Sequence, residues 1–412
     1  MEKPAESPAA RAFFAVLPRG VDDLAAEELR GLGAGDPRPT AGGIAFNGDL
    51  AVAYRVLLGS RLASRLLMPL WRVEASTSQV FYDAVCALPW ERQLRRGATF
   101  AVDARARGDR DVNTHFVALR TKDAVVDRLR ERWGKRPDVD VDDPALRIHV
   151  LLDGGQSEEG GTAQLSLDLS GEPLHRRGYR GSSGPAPLKE NVAAAMLLRA
   201  GWPAIAAAGG GFVDPMCGAG TLLVEAALMA TDAAPGLLRT GTAATFGLRG
   251  WMGHDRQLWD SVRAEAERRR QAGSKRLPLM AGSDRDGSAL ERARTSLLVA
   301  GIDGVALERA DVGEARPPSG AATGLVAANA PYGHRIGGDG DLPGVYRRLG
   351  EALKARFEGW RLALLTADAA LAGEVRMRPS RRNALWNGPI RCELLQYNVG
   401  RAAIPGRESA EE

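Results

Sequence analysis

One segment constrains the fold more than any other: an apolar run that ends in an acidic residue and passes through a glycine turn into a helix. The run is Phe212-Val213-Asp214, the turn is Cys217-Gly218-Ala219-Gly220, and a helical pattern begins at Thr221. A strand that leads through glycines into a helix is typical of a β-α unit. Similar units follow, so the sequence predicts an α/β domain of Rossmann-like type, with a mostly parallel, doubly wound sheet.

The alternation of helices and strands that supports this prediction continues towards the end of the chain. Helices are predicted over 189–200, 221–229, 254–271 and 287–300, and strands over 211–214 and 279–283 and near Ala306, Leu325 and Leu362. Helices of this length can cross over between parallel strands.

The first 170 or so residues show a different order of elements, as expected of an α+β region. Strand-like runs at 99–106 and 146–152 flank a helical stretch at 115–133. The Gly-rich acidic segment 153–162 predicts a hairpin loop, and the Gly, Ser and Pro content of 174–187 predicts an interdomain linker.

Composition limits the partners of the protein without selecting one. The net charge of +4 permits nucleic acid as a partner but does not require it. Cys86, Cys217 and Cys392 lack CxxC spacing, which argues against disulfides and zinc and favours a cytoplasmic location. The five histidines show no i, i+4 pair and no segment resembles a secretory signal or a membrane span, so we expect neither a metal nor a membrane.

Asp214, immediately before the glycine turn, indicates the kind of ligand. An NAD fingerprint carries its carboxylate at the end of the next strand, and a phosphate loop carries Gly-Lys-Thr. A carboxylate beside the turn instead suits a cationic cofactor that has an amino group and no phosphate. The alternative interpretation is a plain tight connection between strand and helix.

Two more carboxylates follow the next two predicted strands: Asp284 and Asp311. An acid at the second strand end can accept hydrogen bonds from both ribose hydroxyls, and one at the third can accept from an adenine amino group. Each alone is equally consistent with a surface aspartate. Three acids at three successive strand ends favour a nucleoside-containing cofactor.

The segment Asn329-Ala330-Pro331-Tyr332 follows the fourth predicted strand of this domain. The Asn carboxamide oxygen and the next backbone carbonyl can accept hydrogen bonds from a planar amino group, which raises the nucleophilicity of its nitrogen. Tyr332 offers a ring that can stack on a base. A turn with a packed tyrosine is the alternative.

At these motifs the sequence resembles the bacterial large-subunit ribosomal RNA guanine-N2 methyltransferases of the RlmL type, whose N-terminal half carries a THUMP domain. Nearly the whole chain takes part in the resemblance. Besides the motifs above, its most specific segments are Phe13-Phe14-Ala15, Arg61 to Arg65, Asp168 to Gly171, Leu174 to Arg180, Glu225 to Ala227 and Ala234 to Leu237.

The resemblance implies a cofactor and a role for each motif. The cofactor is S-adenosylmethionine (SAM), whose methyl group is transferred directly in line to the base, and Asn329, Ala330, Pro331 and Tyr332 are the catalytic residues. The implied cofactor-binding residues are Asp214, Pro215, Met216, Cys217, Gly218, Gly220 and Thr221 for the methionine part, Asp284 and Arg285 for the ribose, Asp311 and Val312 for the adenine, and Lys189 and Glu190 near the methionine end.

The resemblance also implies a domain order. We expect a disordered lead (1–12), a ferredoxin-like region (13–60), a THUMP RNA-binding domain (61–172), a linker (173–188), a class I methyltransferase domain (189–402) and a tail (403–412). A second, fused methyltransferase known in some family members is not expected, since no second glycine-turn constellation occurs. The family has proline where Ala330 stands, so the restriction of φ that proline imposes is missing here.

The implied substrate is guanine 2445 of 23S ribosomal RNA, free or in an assembly intermediate. Arginines expected to contact RNA phosphates are Arg105, Arg107, Arg176, Arg177 and Arg180. The motifs alone leave open a tRNA guanine-N2 methyltransferase and an adenine-N6 methyltransferase of DNA or RNA. A non-catalytic assembly factor that binds RNA is the alternative of a different class.

Overall fold

A computed structural model describes residues 10–107, 113–153, 161–181, 188–331 and 341–400. The strands are β1 (Arg11–Val16), β2 (Gly35–Thr40), β3 (Gly43–Gly48), β4 (Arg65–Glu74), β5 (Phe100–Ala106), β6 (Leu146–Asp153), β7 (Thr162–Asp168), β8 (Gly211–Asp214), β9 (Met280–Asp284), β10 (Val305–Arg309), β11 (Gly324–Asn329), β12 (Arg361–Thr366), β13 (Arg381–Asn387) and β14 (Ile390–Asn398). The helices are α1 (Asp22–Gly31), α2 (Leu50–Gly59), α3 (Ser78–Ala87), α4 (Thr114–Trp133), α5 (Glu190–Arg199), α6 (Trp202–Ala207), α7 (Thr221–Ala230), α8 (Arg256–Gly273), α9 (Gly287–Val299), α10 (Leu342–Arg356) and α11 (Ala369–Gly373).

The elements divide into two compact units. The first comprises Met1–Gly178 and Ala233–Gln271, and the second comprises Tyr179–Asp232 and Ala272–Glu412. The first contains a seven-stranded sheet in the order β2-β3-β1-β4-β7-β6-β5. Its pairs are antiparallel except β5 with β6. This confirms the predicted α+β organisation, and the β6–β7 pairing places the predicted hairpin at 153–162, of which 154–160 lie outside the described residues.

The segment Ala233–Gln271 departs from the predicted continuous methyltransferase domain of 189–402. Several of its large side chains are buried, among them Leu238, Phe246, Trp251 and Trp259, and Trp259 packs edge-to-face on Tyr54 of the first unit. The backbone also approaches closely, since a Cβ on Gly236 would lie 2.7 Å from Leu58 Cα. This insertion is an integral part of the first unit because these contacts anchor it there.

Two further boundary predictions are wrong at their edges. The predicted disordered lead, 1–12, overlaps β1, which begins at Arg11. The predicted linker, 173–188, is packed in its first half, where Leu174, Arg177 and Tyr179 are at most 3% exposed. Residues 182–187, like 1–9 and the predicted tail 403–412, lie outside the described part of the chain.

The second unit contains the predicted Rossmann-like sheet. Its seven strands lie in the order β10-β9-β8-β11-β12-β14-β13. The first five are mutually parallel, and β14 runs antiparallel to both β12 and β13. Strand order reverses at β8, whose neighbours are β9 on one side and β11 on the other. In open sheets of this kind, ligands bind outside the carboxyl ends of the strands at this switch point.

One core of the second unit lies between the sheet and α10 and α11. Tyr346 and Leu349 from α10 pack there with Trp360 and Leu364. The short α6, which the sequence did not predict, buries Trp202, whose indole N–H donates to the carbonyl of Ala226 at 2.8 Å. Along the described ranges, we find no helix both long enough and apolar enough to cross a membrane.

Candidate active site

The parallel strands bring the predicted motifs to one edge of the second unit's sheet. Asp214 and Asp284 are the last residues of β8 and β9, Asp311 follows β10 by two residues, and Asn329 ends β11. Because β10, β9, β8 and β11 are consecutive neighbours in the sheet, all four side chains lie at its carboxyl edge. The order of the residues across the edge follows from the strand order.

Asp214 is a buried carboxyl group, 1% exposed. Its Oδ1 accepts a hydrogen bond from the backbone N–H of Met216 at 3.2 Å. Burial raises the pKa of Asp214 to about 8, and the charge of Asp284 adds to the rise. A carboxyl group held in this way gains most from a nearby positive charge, which would stabilise its ionised form.

The backbone of the turn is fixed against β9. Gly218 donates its N–H to Asp284 Oδ2 at 2.9 Å, and Cys217 donates its N–H to the carbonyl of Ser283 at 2.9 Å. Gly218 and Gly220 have φ of +53° and +80°. A Cβ on Gly218 would meet no described atom within 4 Å, whereas one on Gly220 would lie 3.2 Å from Ala293. Gly218 therefore leaves open space for a ligand, and Gly220 lets α7 begin against α9.

The remaining members of the glycine segment surround this turn. Pro215 and Cys217 are buried, Met216 is half-buried, and Thr221 is the first residue of α7. Burial raises the pKa of the Cys217 thiol, with a further contribution from Asp214. The thiol therefore stays neutral and is a packing group here.

The carboxylate of Asp284 accepts hydrogen bonds from two different loops. Besides the Gly218 bond, its Oδ1 accepts from the backbone N–H of Asp286 at 2.9 Å. The side chain of Arg285 is exposed, and its carbonyl accepts from Arg309 Nε at 3.0 Å. Asp284 is thus already oriented at the edge between β8 and β9.

Asp311 caps the short turn Val312–Glu314 in a reciprocal capping box. Its Oδ1 accepts from the Gly313 N–H at 2.9 Å and from Arg348 Nε at 3.0 Å. Val312 beside it is buried. The guanidinium of Arg348, on α10, orients this carboxylate and was not predicted from the sequence.

Lys189 and Glu190 lie at the start of α5. The Lys189 N–H donates to Asn387 Oδ1 at 3.2 Å. Glu190 is 7% exposed, and its Oε1 lies 3.3 Å from Arg180 Nη1. Glu190 is therefore the buried partner of an arginine within the second unit.

The segment after β11 has two fixed backbone groups and one unsatisfied side-chain atom. Ala330 is 1% exposed and donates its N–H to the carbonyl of Leu365 at 3.2 Å. The Pro331 carbonyl accepts from the Tyr346 hydroxyl at 3.1 Å. Asn329 Oδ1 is buried and has no hydrogen-bond partner among the described residues, while Tyr332 lies outside them. A buried, unsatisfied carbonyl oxygen at a strand end is suited to accept a ligand's N–H.

The five arginines expected to contact RNA separate into two groups. Arg105, Arg107 and Arg176 are exposed. Arg177 is 1% exposed and donates to the carbonyls of Leu174 at 2.6 Å and Arg61 at 2.5 Å. The side chain of Arg180 is 10% exposed and donates to the Leu188 carbonyl at 2.8 Å besides pairing with Glu190.

The expectation that Arg177 and Arg180 contact RNA is therefore wrong for this structure. Their guanidinium groups satisfy buried acceptors, and exposing them to a phosphate would leave those acceptors unpaired. In the described ranges, no three His, Cys, Asp or Glu side chains form a group that could hold a metal ion.

The fold and the site together define a class I methyltransferase whose cofactor is SAM. The chain belongs to the RMKL-like methyltransferase family, whose domain model matches residues 177–396. A THUMP domain model matches residues 75–156, and a model of the RlmL ferredoxin-like domain matches residues 12–67. The family expected from the sequence motifs is thereby confirmed.

Curated relatives are similar along nearly the whole chain. A protein of Syntrophotalea carbinolica named ribosomal RNA large subunit methyltransferase K/L is 44% identical over 97% of this chain and 55% of its own length. The protein of the same name from Allochromatium vinosum is 45% identical over 94% of this chain and 51% of its own length. The chain thus spans about half the length of these relatives.

Two solved structures share the fold over at least 95% of the chain. SMU.472, provisionally named a methyltransferase and crystallised with SAH, is 27% identical with a TM-score of 0.80, covering 96% of this chain and 100% of its own. A Listeria monocytogenes protein named as a predicted N6-adenine-specific DNA methylase is also 27% identical with a TM-score of 0.80, covering 95% and 97%.

Proposed function

We propose that this protein methylates the N2 amino group of a guanine in 23S ribosomal RNA, at guanine 2445. The observation that carries the proposal is the buried Asn329 Oδ1 at the carboxyl end of β11, which has no hydrogen-bond partner in the described part of the chain. It lies on the strand next to β8, which leads into the glycine turn. The names of the curated relatives support ribosomal RNA as the substrate. The substrate is the free RNA or an assembly intermediate of the large subunit.

The residues at the strand ends fit SAM. Asp214 has a raised pKa that a cationic ligand would lower, and Gly218 leaves space beside the turn for close approach of a ligand. We assign the methionine part to the loop 214–221, the ribose to Asp284 with Arg285, and the adenine to Asp311 with Val312. When bound, SAM supplies an electrophilic methyl group on a positively charged sulfur.

In this proposal Lys189 and Glu190 support the cofactor site by holding the start of α5 in place. The Lys189 backbone is tied to Asn387, and Glu190 is paired with Arg180. These contacts fix the start of α5, and we place that helix start near the methionine end of the cofactor. A direct contact by Glu190 would require its carboxylate to be shared with Arg180.

The chain's own contribution to the reaction is to hold and polarise the base. Asn329 Oδ1 and the Ala330 carbonyl accept the two N–H groups of the amino group, which draws the nitrogen lone pair out of conjugation. The base must leave its stack to reach this position, and Tyr332 replaces the lost stacking. Once methylated, the nitrogen is cationic and releases a proton to water, so no strong base is needed.

The first unit supplies the RNA contacts in this proposal. It contains the THUMP match and the exposed Arg105, Arg107 and Arg176. Arginines on a surface bind phosphates electrostatically and release counterions, so replacing one such arginine lowers the salt dependence of affinity by about one unit of slope. The number of phosphates bound can therefore be read from a salt titration.

The test is methyl transfer from radiolabelled SAM to unmodified 23S ribosomal RNA by the full chain and by Asn329→Ala. We expect kcat to fall at least about 100-fold, as when one preorganised polar group is removed from a transition state. SAM affinity, measured by calorimetry, should change less than about twofold. Asn398→Ala is the matched control, since Asn398 ends β14 opposite Arg361, at the other edge of the sheet.

The product nucleoside distinguishes the remaining alternatives. N2-methylguanosine in the RNA digest supports the proposal, whereas N6-methyladenosine favours the adenine-N6 alternative. Transfer to tRNA in preference to 23S RNA would support the tRNA alternative. Binding of RNA without any transfer would identify an assembly factor, and full turnover by Asn329→Ala would remove that residue from the mechanism.

A further inference from the structure

A chain of buried hydroxyl groups ends on the carbonyl of Pro331. The Tyr346 hydroxyl, from α10, lies 3.1 Å from that carbonyl oxygen and 2.8 Å from Thr366 Oγ1. Thr366 is the last residue of β12, and it accepts the backbone N–H of Asp368 at 3.1 Å. Tyr346 and Thr366 are both 0% exposed. This series of hydrogen bonds therefore connects the end of β12 with the segment that carries the catalytic asparagine.

The number of hydroxyl hydrogens determines which group donates in each of these hydrogen bonds. A tyrosine has one O–H, and the Pro331 carbonyl can only accept, so Tyr346 donates to Pro331. Thr366 must then donate its own hydrogen to the Tyr346 oxygen at 2.8 Å, a shorter contact than its alternative acceptor, the Asp368 carbonyl at 3.4 Å. Each donor polarises the next, which strengthens the final bond to Pro331.

The residue before Pro331 is held by a second bond. Ala330 donates its N–H to the Leu365 carbonyl at 3.2 Å, which continues the β11–β12 pairing one residue beyond Asn329. A proline at this position has no N–H and could not make this bond. The alanine thus gains a backbone restraint in place of the fixed φ that it lacks.

We propose that Tyr346 and Thr366 are positioning residues for methyl transfer, and that they act by fixing the Ala330-Pro331 backbone beside Asn329. This inference rests on the proposed function, since Asn329 is the residue that the fixed backbone presents to the base. An error of about 1 Å in the placement of a reacting group can cost about 100-fold in rate. A loosened backbone should therefore lower kcat and leave substrate binding largely intact.

Tyr346→Phe tests the proposal because it removes only the hydroxyl. We expect kcat with radiolabelled SAM and 23S ribosomal RNA to fall about tenfold, with KM for both substrates within about twofold. Tyr397→Phe is the matched control: Tyr397 is a buried tyrosine of the same core, with no hydrogen bond to 329–331 in the described structure. It should retain wild-type kcat.

Thr366 provides an independent pair of variants. Thr366→Val keeps the shape and removes the donor to Tyr346, so kcat should fall about threefold to fivefold, whereas Thr366→Ser keeps the hydroxyl and should remain near wild type. The double variant with Tyr346→Phe should be no slower than Tyr346→Phe alone, because Thr366 acts through Tyr346. If Tyr346→Phe does not fold, the comparison of Thr366→Val with Thr366→Ser tests the proposal instead.

A readout independent of activity separates this inference from the proposed function. Hydrogen exchange at the Ala330 amide should be faster in Tyr346→Phe than in Tyr397→Phe. If the wild type transfers no methyl group to RNA, the proposed function is wrong and the exchange rates still decide whether Tyr346 fixes the backbone. Unchanged exchange, unchanged kcat in Tyr346→Phe, an effect on KM alone, or an equal loss in Tyr397→Phe would each overturn the inference.

Discussion

Asp214→Asn should change the pH dependence of stability in the absence of SAM. Burial raises the pKa of Asp214 from its ordinary value of 3.8 to about 8. Between these values the unfolded chain releases a proton that the folded protein retains, so the folded state loses stability as pH rises. The loss is about 1.4 kcal/mol per pH unit for one proton and ends above about pH 8. Asparagine does not titrate.

The magnitude follows from the two pKa values. Between pH 6 and 8, two units at about 1.4 kcal/mol give a fall in wild-type unfolding free energy of up to about 3 kcal/mol relative to Asp214→Asn. The half-buried histidines His149 and His254, whose pKa values are lowered by partial burial, titrate in both variants and cancel in the difference. Only the change with pH in the difference between the two unfolding free energies is used, so any effect of the substitution that does not depend on pH cancels.

The assay is urea unfolding at pH 6, 7 and 8, following the transition whose midpoint rises when SAM is added. A cationic ligand beside Asp214 lowers the pKa of its carboxyl group, so SAM affinity in the wild type should rise towards pH 8 by up to about tenfold per unit. Asp214→Asn should bind SAM more weakly and with little pH dependence. Parallel stability curves for the two proteins would refute the reasoning.

Two further pairs of substitutions test the turn and the arginine correction. Gly220→Ala combines a positive φ with a 3.2 Å contact between the new Cβ and Ala293, so it should cost about 2 kcal/mol of stability. Gly218→Ala places its Cβ in open space, so it should cost less stability and weaken SAM binding more. Unfolding measurements give the stabilities, and calorimetry gives the SAM affinities. Arg177→Met should destabilise the first unit by about 3 kcal/mol, because buried carbonyls lose their donor, while Arg176→Met should change stability by less than about 0.5 kcal/mol. Equal effects within either pair would contradict the burial described above.

The fold of the second unit could be predicted because its signals are local. Apolar strands, glycine turns and helical periodicity each depend on a few neighbouring residues. Since the carboxyl ends of parallel strands share one edge, the acids at those ends could also be placed together from the amino-acid sequence. The observed positions of Asp214, Asp284, Asp311 and Asn329 follow from this rule.

The remaining features depend on contacts between distant parts of the chain. Arg348 reaches Asp311 from 37 residues away, and Tyr346 reaches Pro331 from a helix that resembles an ordinary amphipathic one. Arg177 lies in a basic, glycine-containing stretch that is typical of an exposed loop, and only its burial shows its structural role. The insertion Ala233–Gln271 includes the helix predicted over 254–271, but no local pattern shows which unit such an element packs against, so its place in the first unit could not be predicted.

The most direct test of the proposed function is a methylation map of 23S ribosomal RNA by mass spectrometry. The map would compare a strain that lacks this gene with the same strain carrying the wild type or Asn329→Ala. We predict that one N2-methylguanosine, at guanine 2445, is absent without the gene, returns with the wild type and does not return with Asn329→Ala. An unchanged map, or the loss of a methyl group from an adenine instead, would contradict the proposed function.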